Sequence, residues 1–154
     1  MDDVERLYRE YGDMVLRRAR RILGSESDAQ EILQELFMSF LRDPEQLKGK
    51  SSLTGWLYGA TTHLCLNTIR NKKNRLRLLQ SETARGQATE APRAEKLMTA
   101  RELLEQLPDE LAQVAIYYYL DEMTHQEISE LIGCSRRQVG NLLEQVQAKM
   151  RVCA

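Results

Sequence analysis

The chain has 154 residues, 29% of them charged, and a formal net charge of −1. That length allows one ordinary domain or two small ones. No apolar run approaches the length of a membrane span, and three widely spaced cysteines, Cys65, Cys134 and Cys153, form no disulfide framework. The first residues carry no signal-like pattern, so a reduced, cytoplasmic protein is expected.

Apolar residues keep helical spacing through most of the sequence. Val4, Leu7, Tyr8, Tyr11, Val15, Ile22 and Leu23 make one stripe, which Gly24 is placed to end. Ser27 with Gln30 has capping-box spacing for a second helix. Its pairs Ile32/Leu33, Leu36/Phe37 and Phe40/Leu41 make a wide apolar face. Pro44 and Gly49 bracket a loop. A third helix then carries Leu53, Trp56, Leu57, Ala60 and Leu64 on one side. The Trp56 ring belongs with that apolar side, whereas Tyr58 and the Thr61/Thr62 pair point elsewhere and are available to nucleic acid.

The end of this third helix is the sharpest charge feature. Five cations fall in the eight residues 70–77, and no carboxylate occurs between Glu45 and Glu82. A helix dipole accounts for one or two cations at a C-terminus; five point to phosphate. The asymmetry runs along the whole chain, with residues 1–80 at +3 and residues 108–154 at −3.

From 80 to 96 the apolar stripe lapses into a small, polar stretch that reads as a flexible linker. Beyond it, Pro108 sits near a helix start, and Thr124/Glu127 has T-x-x-E capping-box spacing. Ile128, Leu131 and Ile132 follow, Gly133 supplies a turn, and Ser135/Gln138 is a second box. Two capped helices joined at a glycine after a longer helix have the form of a helix-turn-helix, its second helix opening on Arg136 and Arg137. The expected fold is all-α: helical domains over 1–79 and 97–154 joined by the linker. His63, His125 and the cysteines match no zinc spacing, and no phosphate loop, triad or recognisable carboxylate pair occurs. Neither a metal, a cofactor nor an enzyme activity is expected.

Three segments together resemble the extracytoplasmic-function (ECF) sigma factors, minimal two-domain members of the sigma-70 family. They are "DAQEILQELFMSFL" from Asp28, "SSLTGWLYGATTHLCLNTIRNKK" from Ser51 and "LPDELAQVAIYYYLDEMTHQEISELIGCSRRQVGNLL" from Leu107. The resemblance implies a region 2-like domain, a region 4-like domain and a transcription initiation factor. Asp28, Glu31, Gln34 and Glu35 would contact core RNA polymerase, with Phe37 in the supporting core. A loop over 43–53 would capture a flipped base of the −10 element. Leu47, Lys48, Lys50, Ser52, Tyr58, Thr62, His63, Arg70, Lys72, Lys73 and Arg75 would meet −10 DNA, the four cations of 70–75 being sequence-blind. Ser135, Arg136, Arg137, Gln138 and Asn141 would read the −35 element. Core polymerase, promoter DNA and an anti-sigma factor are the implied partners.

The sequence departs from the family where His63 replaces a usual Asn and Asn67 a usual Asp. The recognition helix also lacks four expected cations, with Gln138, Gly140, Asn141, Leu143, Glu144, Gln145 and Gln147 among its residues. Two other readings therefore stay open: a helix-turn-helix regulator independent of polymerase, and a sigma-like adaptor that reads no promoter.

Overall fold

A computed structural model describes residues 2–49, 52–83 and 100–153. Within them the chain is helical, with no strand. Helix α1 covers Asp2–Leu23, α2 Glu26–Arg42 and α3 Leu53–Thr83, with a 3₁₀ turn at Pro44–Leu47. These make the first domain. The second has α4 at Ala100–Gln106, α5 at Asp109–Ala115, α6 at His125–Ile132 and α7 at Arg136–Cys153. The linker expected over 80–96 starts later than the sequence suggests, because α3 continues to Thr83. Its remainder lies outside the described residues.

Gly24 ends α1 at φ +67°, a left-handed conformation that glycine adopts without strain. That turn delivers Ser25, not Ser27, as the N-cap of α2. Ser25 is extended, and its side chain accepts from the Asp28 N–H. The expected Ser27/Gln30 box is therefore absent, and Ser27 lies inside the helix. The Thr124/Glu127 box forms in full, and Gly133 closes α6 at φ +77°. Ser135 Oγ accepts from the Gln138 N–H at 3.0 Å, which supplies one half of the second box.

Inside the first domain, Val4 and Val15 of α1 meet Leu33, Leu36, Phe37 and Phe40 of α2 and Leu57 of α3. Phe40 is wholly buried, and the Trp56 ring lies 5.5 Å from it. Full burial of such side chains contributes roughly 1.5–3 kcal/mol each.

A second apolar cluster crosses between the domains. It joins Ala19, Ile22, Cys65, Leu66 and Ile69 of the first to Leu107, Leu111, Tyr117, Ile128, Val139 and Val146 of the second. Helix α3 packs on α4, α5 and α6. Where α3 meets α6, a Cβ added to Gly55 would stand 3.2 Å from Leu131 Cδ1, so the lack of a side chain permits the approach.

After α5 the backbone widens into a π-turn at Ile116–Leu120. The Asp121 N–H bonds back to the Ile116 carbonyl at 3.0 Å. Such wide turns are rare and re-aim the side chains that follow them. Here the turn sends Tyr117 inward, leaves Tyr118 and Tyr119 exposed and directs Asp121 at the first domain.

Candidate polymerase and nucleic-acid surfaces

Helix α2 buries Ile32, Leu33, Leu36, Phe37 and Phe40 of the pairs found by its spacing, though not Leu41, and turns Glu31, Gln34 and Glu35 to solvent. Met38 and Leu41 are also exposed, at 53% and 47%. Asp28 behaves differently: it is buried and forms an ion pair with Lys72 of α3. A residue expected to meet polymerase and one expected to meet DNA are thus partners of each other.

After α2, the 3₁₀ turn places Leu47 against the core, and Lys48 Nζ reaches Glu45 Oε1 at 3.0 Å. Lys50 lies outside the described residues. Ser52 Oγ accepts from the Gly55 N–H at 3.2 Å at the start of α3. Ser52, Trp56, Tyr58 and His63 then line one wall of an open cleft of about 860 Å³. Met123, Glu127, Glu130 and Leu131 of the second domain line the other. His63 is exposed on its own helix, and Gln113 Nε2 approaches its Nε2 at 3.0 Å.

Thr61 and Thr62 do not face solvent as their helical position suggests; both are fully buried. Thr61 donates to the Leu57 carbonyl at 2.7 Å and Thr62 to the Tyr58 carbonyl at 2.8 Å. The reason for Thr62 is Arg18. Arg18 Nη1 donates to Thr62 Oγ1 at 2.7 Å and Nη2 to Asp121 Oδ2 at 2.5 Å. The guanidinium also lies 4.5 Å from the Tyr58 ring centroid and 5.5 Å from that of Tyr117. Arg18 and Asp121 side chains are only 4% and 7% exposed, so this is a buried ion pair joining the two domains. Burial also pushes the Tyr117 hydroxyl above its ordinary pKa, against a lowering hydrogen bond with Thr62.

The cation cluster of α3 is divided. Arg70 pairs with Asp109 and donates to the Leu107 carbonyl at 3.3 Å. Lys73 Nζ lies 3.5 Å from the Glu105 carbonyl oxygen. Lys72 is held by Asp28. Arg75 is exposed, and Arg77 reaches Asn74, one turn away at 3.1 Å.

The helix-turn-helix presents the start of α7 outward, with Ser135, Arg136, Arg137, Gln138 and Asn141 all exposed. Val139, Leu142, Leu143 and Val146 anchor its other face. Two helical domains thus stand in order. One carries a polar helix face and a cationic helix, and the other a solvent-facing helix-turn-helix.

Comparison with known proteins agrees with that order. Residues 7–75 match the model of sigma-70 region 2, and residues 97–150 match that of sigma-70 region 4. The chain belongs to the sigma-70 family. It is of the ECF type, and transcription initiation at specific promoters is its activity.

RNA polymerase sigma factor YlaC of Bacillus subtilis is 26% identical, over 97% of this chain and 91% of that protein. ECF RNA polymerase sigma factor SigE of Mycolicibacterium smegmatis is 25% identical over 98% of this chain, which spans 61% of the length of that relative. Among solved structures, the sigma factor RpoE of Bartonella quintana, in complex with the anti-sigma factor NepR, aligns with a TM-score of 0.53 at 12% identity. That alignment covers 99% of this chain and 97% of that one, a likeness of fold.

The Arg18–Asp121–Tyr117 node between the region 2 and region 4 domains is absent from the sequence reading. A signal for half of it exists. Of the four arginines in 17–21, Arg18 alone follows Val15 by three and precedes Ile22 by four, on the buried stripe. Asp121 gives no such sign, since the π-turn that aims it breaks the helical register.

Cys65 is buried, and desolvation pushes its thiol up to about 12, so it is a packing residue and not a reactive one. Among the described residues, no group of three or more His, Cys, Asp or Glu could hold a metal ion. No helix among them is long and apolar enough to cross a membrane.

Proposed function

We propose that the chain acts in the cytoplasm as a non-catalytic subunit that docks on core RNA polymerase and divides promoter recognition between its domains. The outward face of α2, with Glu31, Gln34 and Glu35, serves as the polymerase contact. The loop before α3, with Leu47, Lys48, Lys50 and Ser52, captures an unpaired −10 base, and Tyr58 and His63 flank it. Arg75 holds backbone phosphate, joined by Arg70, Lys72 and Lys73 once Asp109, Asp28 and the Glu105 carbonyl release them. Ser135, Arg136, Arg137, Gln138 and Asn141 read the −35 element, at the positive end of α7. An anti-sigma factor controls access to these surfaces.

One observation carries this reading: region 2 and region 4 matches in that order on a single chain. A helix-turn-helix regulator independent of polymerase is not favoured, because the match over residues 7–75 gives it a domain it does not need. The test is run-off transcription with core polymerase on a genomic fragment library, with and without the protein. New, protein-dependent start sites sharing −10 and −35 elements are expected. Identical transcript sets in both reactions would refute the reading.

A further inference from the structure

Among the described residues, Arg18 is the only buried cation. It stands on the apolar stripe of α1, three residues after Val15 and four before Ile22. A hydrophobic side chain would fill that place at less cost, because a buried charge gives up its hydration. Arg18 Nε also finds no acceptor among the described residues, which adds to the cost. Stability alone therefore does not account for an arginine here. Its contacts within the first domain do. Nη1 donates to the Tyr58 carbonyl at 3.3 Å and to Thr62 Oγ1 at 2.7 Å, and Thr62 Oγ1 donates to the same carbonyl at 2.8 Å. The guanidinium lies over the Tyr58 ring, 4.5 Å from its centroid. Tyr58 itself is half-buried and lines the open cleft.

We propose that Arg18 is a positioning residue for promoter opening, holding the Tyr58 ring so that the face away from the guanidinium is ready to stack an unpaired base of the −10 strand. The proposal rests on reading Tyr58 as a −10 contact. Every base has a face that can stack on an aromatic ring. A ring that turns freely loses that freedom when the base arrives, which weakens binding. A ring already pinned by a cation on one face has less to lose. These contacts join α1 to α3 within one domain, so they need neither Asp121 nor Tyr117. They also give Thr62, expected to meet DNA, a different part: it links the guanidinium to the Tyr58 backbone.

The experiment uses the full chain bound to core RNA polymerase, with core polymerase alone as the blank. Arg18 also pairs with Asp121, so an excess of polymerase is used to hold the domains in one arrangement across all variants. The probe is a random-sequence forked DNA whose single-stranded tail carries 2-aminopurine, a base whose emission is quenched on stacking. Wild type should quench it. Tyr58→Ala should weaken binding about fivefold or more and abolish most of the quenching. Arg18→Met should weaken binding about three- to tenfold and lower the quenching. Thr62→Val, which removes the link and keeps the charge, should act in the same direction with a smaller effect. In a Tyr58→Ala background, neither Arg18→Met nor Thr62→Val should cost anything further, since a residue that acts through the ring has nothing left to hold. Arg17→Met, on the exposed side of α1, should change nothing.

Equal losses from Arg18→Met in both backgrounds would overturn the proposal, because a general folding defect or an independent DNA contact adds to the loss of the ring. Thr62→Val lies on another helix, so a folding defect confined to Arg18→Met does not reproduce its effect. Loss in Tyr58→Ala with none in Arg18→Met or Thr62→Val would leave the reading of Tyr58 standing and refute the role of Arg18. If Tyr58→Ala itself lost neither affinity nor quenching, Tyr58 would not be a −10 contact, and the proposal would fall with that reading.

Discussion

Helices α2 and α3 share one domain and one core, yet their outward faces differ. Glu31, Gln34 and Glu35 of α2 stand in solvent, on the opposite side of the helix from Phe37 and Phe40. On α3, Arg70 and Lys73 are engaged by the region 4 domain, and Lys72 by Asp28 of α2 itself. The proposed polymerase surface is therefore presented by the closed chain, while much of the proposed DNA surface is not. The difference is one of order: a chain arranged this way can dock on polymerase before it releases its cations for DNA.

The largest effect tests whether the two faces depend on a common support. Phe40→Ala removes a wholly buried ring at the junction of α2 with Trp56 of α3. It should cost about 3–5 kcal/mol of stability in thermal unfolding and degrade polymerase and DNA binding together. Loss of one without the other would show that the two faces do not share that support.

Next, Gln34→Ala/Glu35→Lys changes only solvent-facing groups of α2. Affinity for core polymerase, measured by pull-down titration, should fall roughly tenfold or more, which is about 1.4 kcal/mol, with helicity and forked-DNA binding unchanged. Unaltered polymerase affinity would remove the contact surface from α2.

A smaller effect sharpens the division within α3. Arg75→Ala and Arg77→Ala remove exposed cations that, among the described residues, the second domain does not engage. Each should reduce the salt slope of DNA binding by about 0.7–0.9. Arg70→Ala should reduce it less, since Arg70 must first give up its pair with Asp109.

The smallest effect concerns pH. Hydrogen bonds from Thr124, the backbone N–H first, hold the Glu127 carboxyl below its ordinary pKa. A lowered folded pKa gives stability that is complete above the unfolded value. It is lost as the pH falls through the folded one. Unfolding of wild type should therefore show an acid-side loss, below about pH 4.5, that Glu127→Gln reduces. Identical acid-side profiles would mean that the box contributes nothing at α6.

The helical stripes, both glycine turns and the Thr124 box were readable because each rests on residues close in sequence. The α2 pairs at 32/33 and 36/37, with Phe40, likewise located its exposed polar face, whereas Leu41, expected on the apolar side, is exposed. Spacing could not show that Thr62 would be covered, since its cover is Arg18 from α1 and Tyr117 from the other domain. Nor could it show the partners of Arg70 and Asp28, 39 and 44 residues away along the chain. The cation cluster was correctly located as a charge feature. What it meets in the folded chain depends on the domain arrangement, which local pattern does not encode.

Trp56 has a spectroscopic consequence. It is the single tryptophan of the chain and lines the cleft across from Met123 and Leu131. All indole emission therefore comes from the boundary between the domains. A rise in water contact there would shift the emission to longer wavelength, and a thioether or base moving near the ring would change its lifetime. The unlabelled protein thus carries an optical probe at this boundary, suited to stopped-flow mixing with polymerase or DNA.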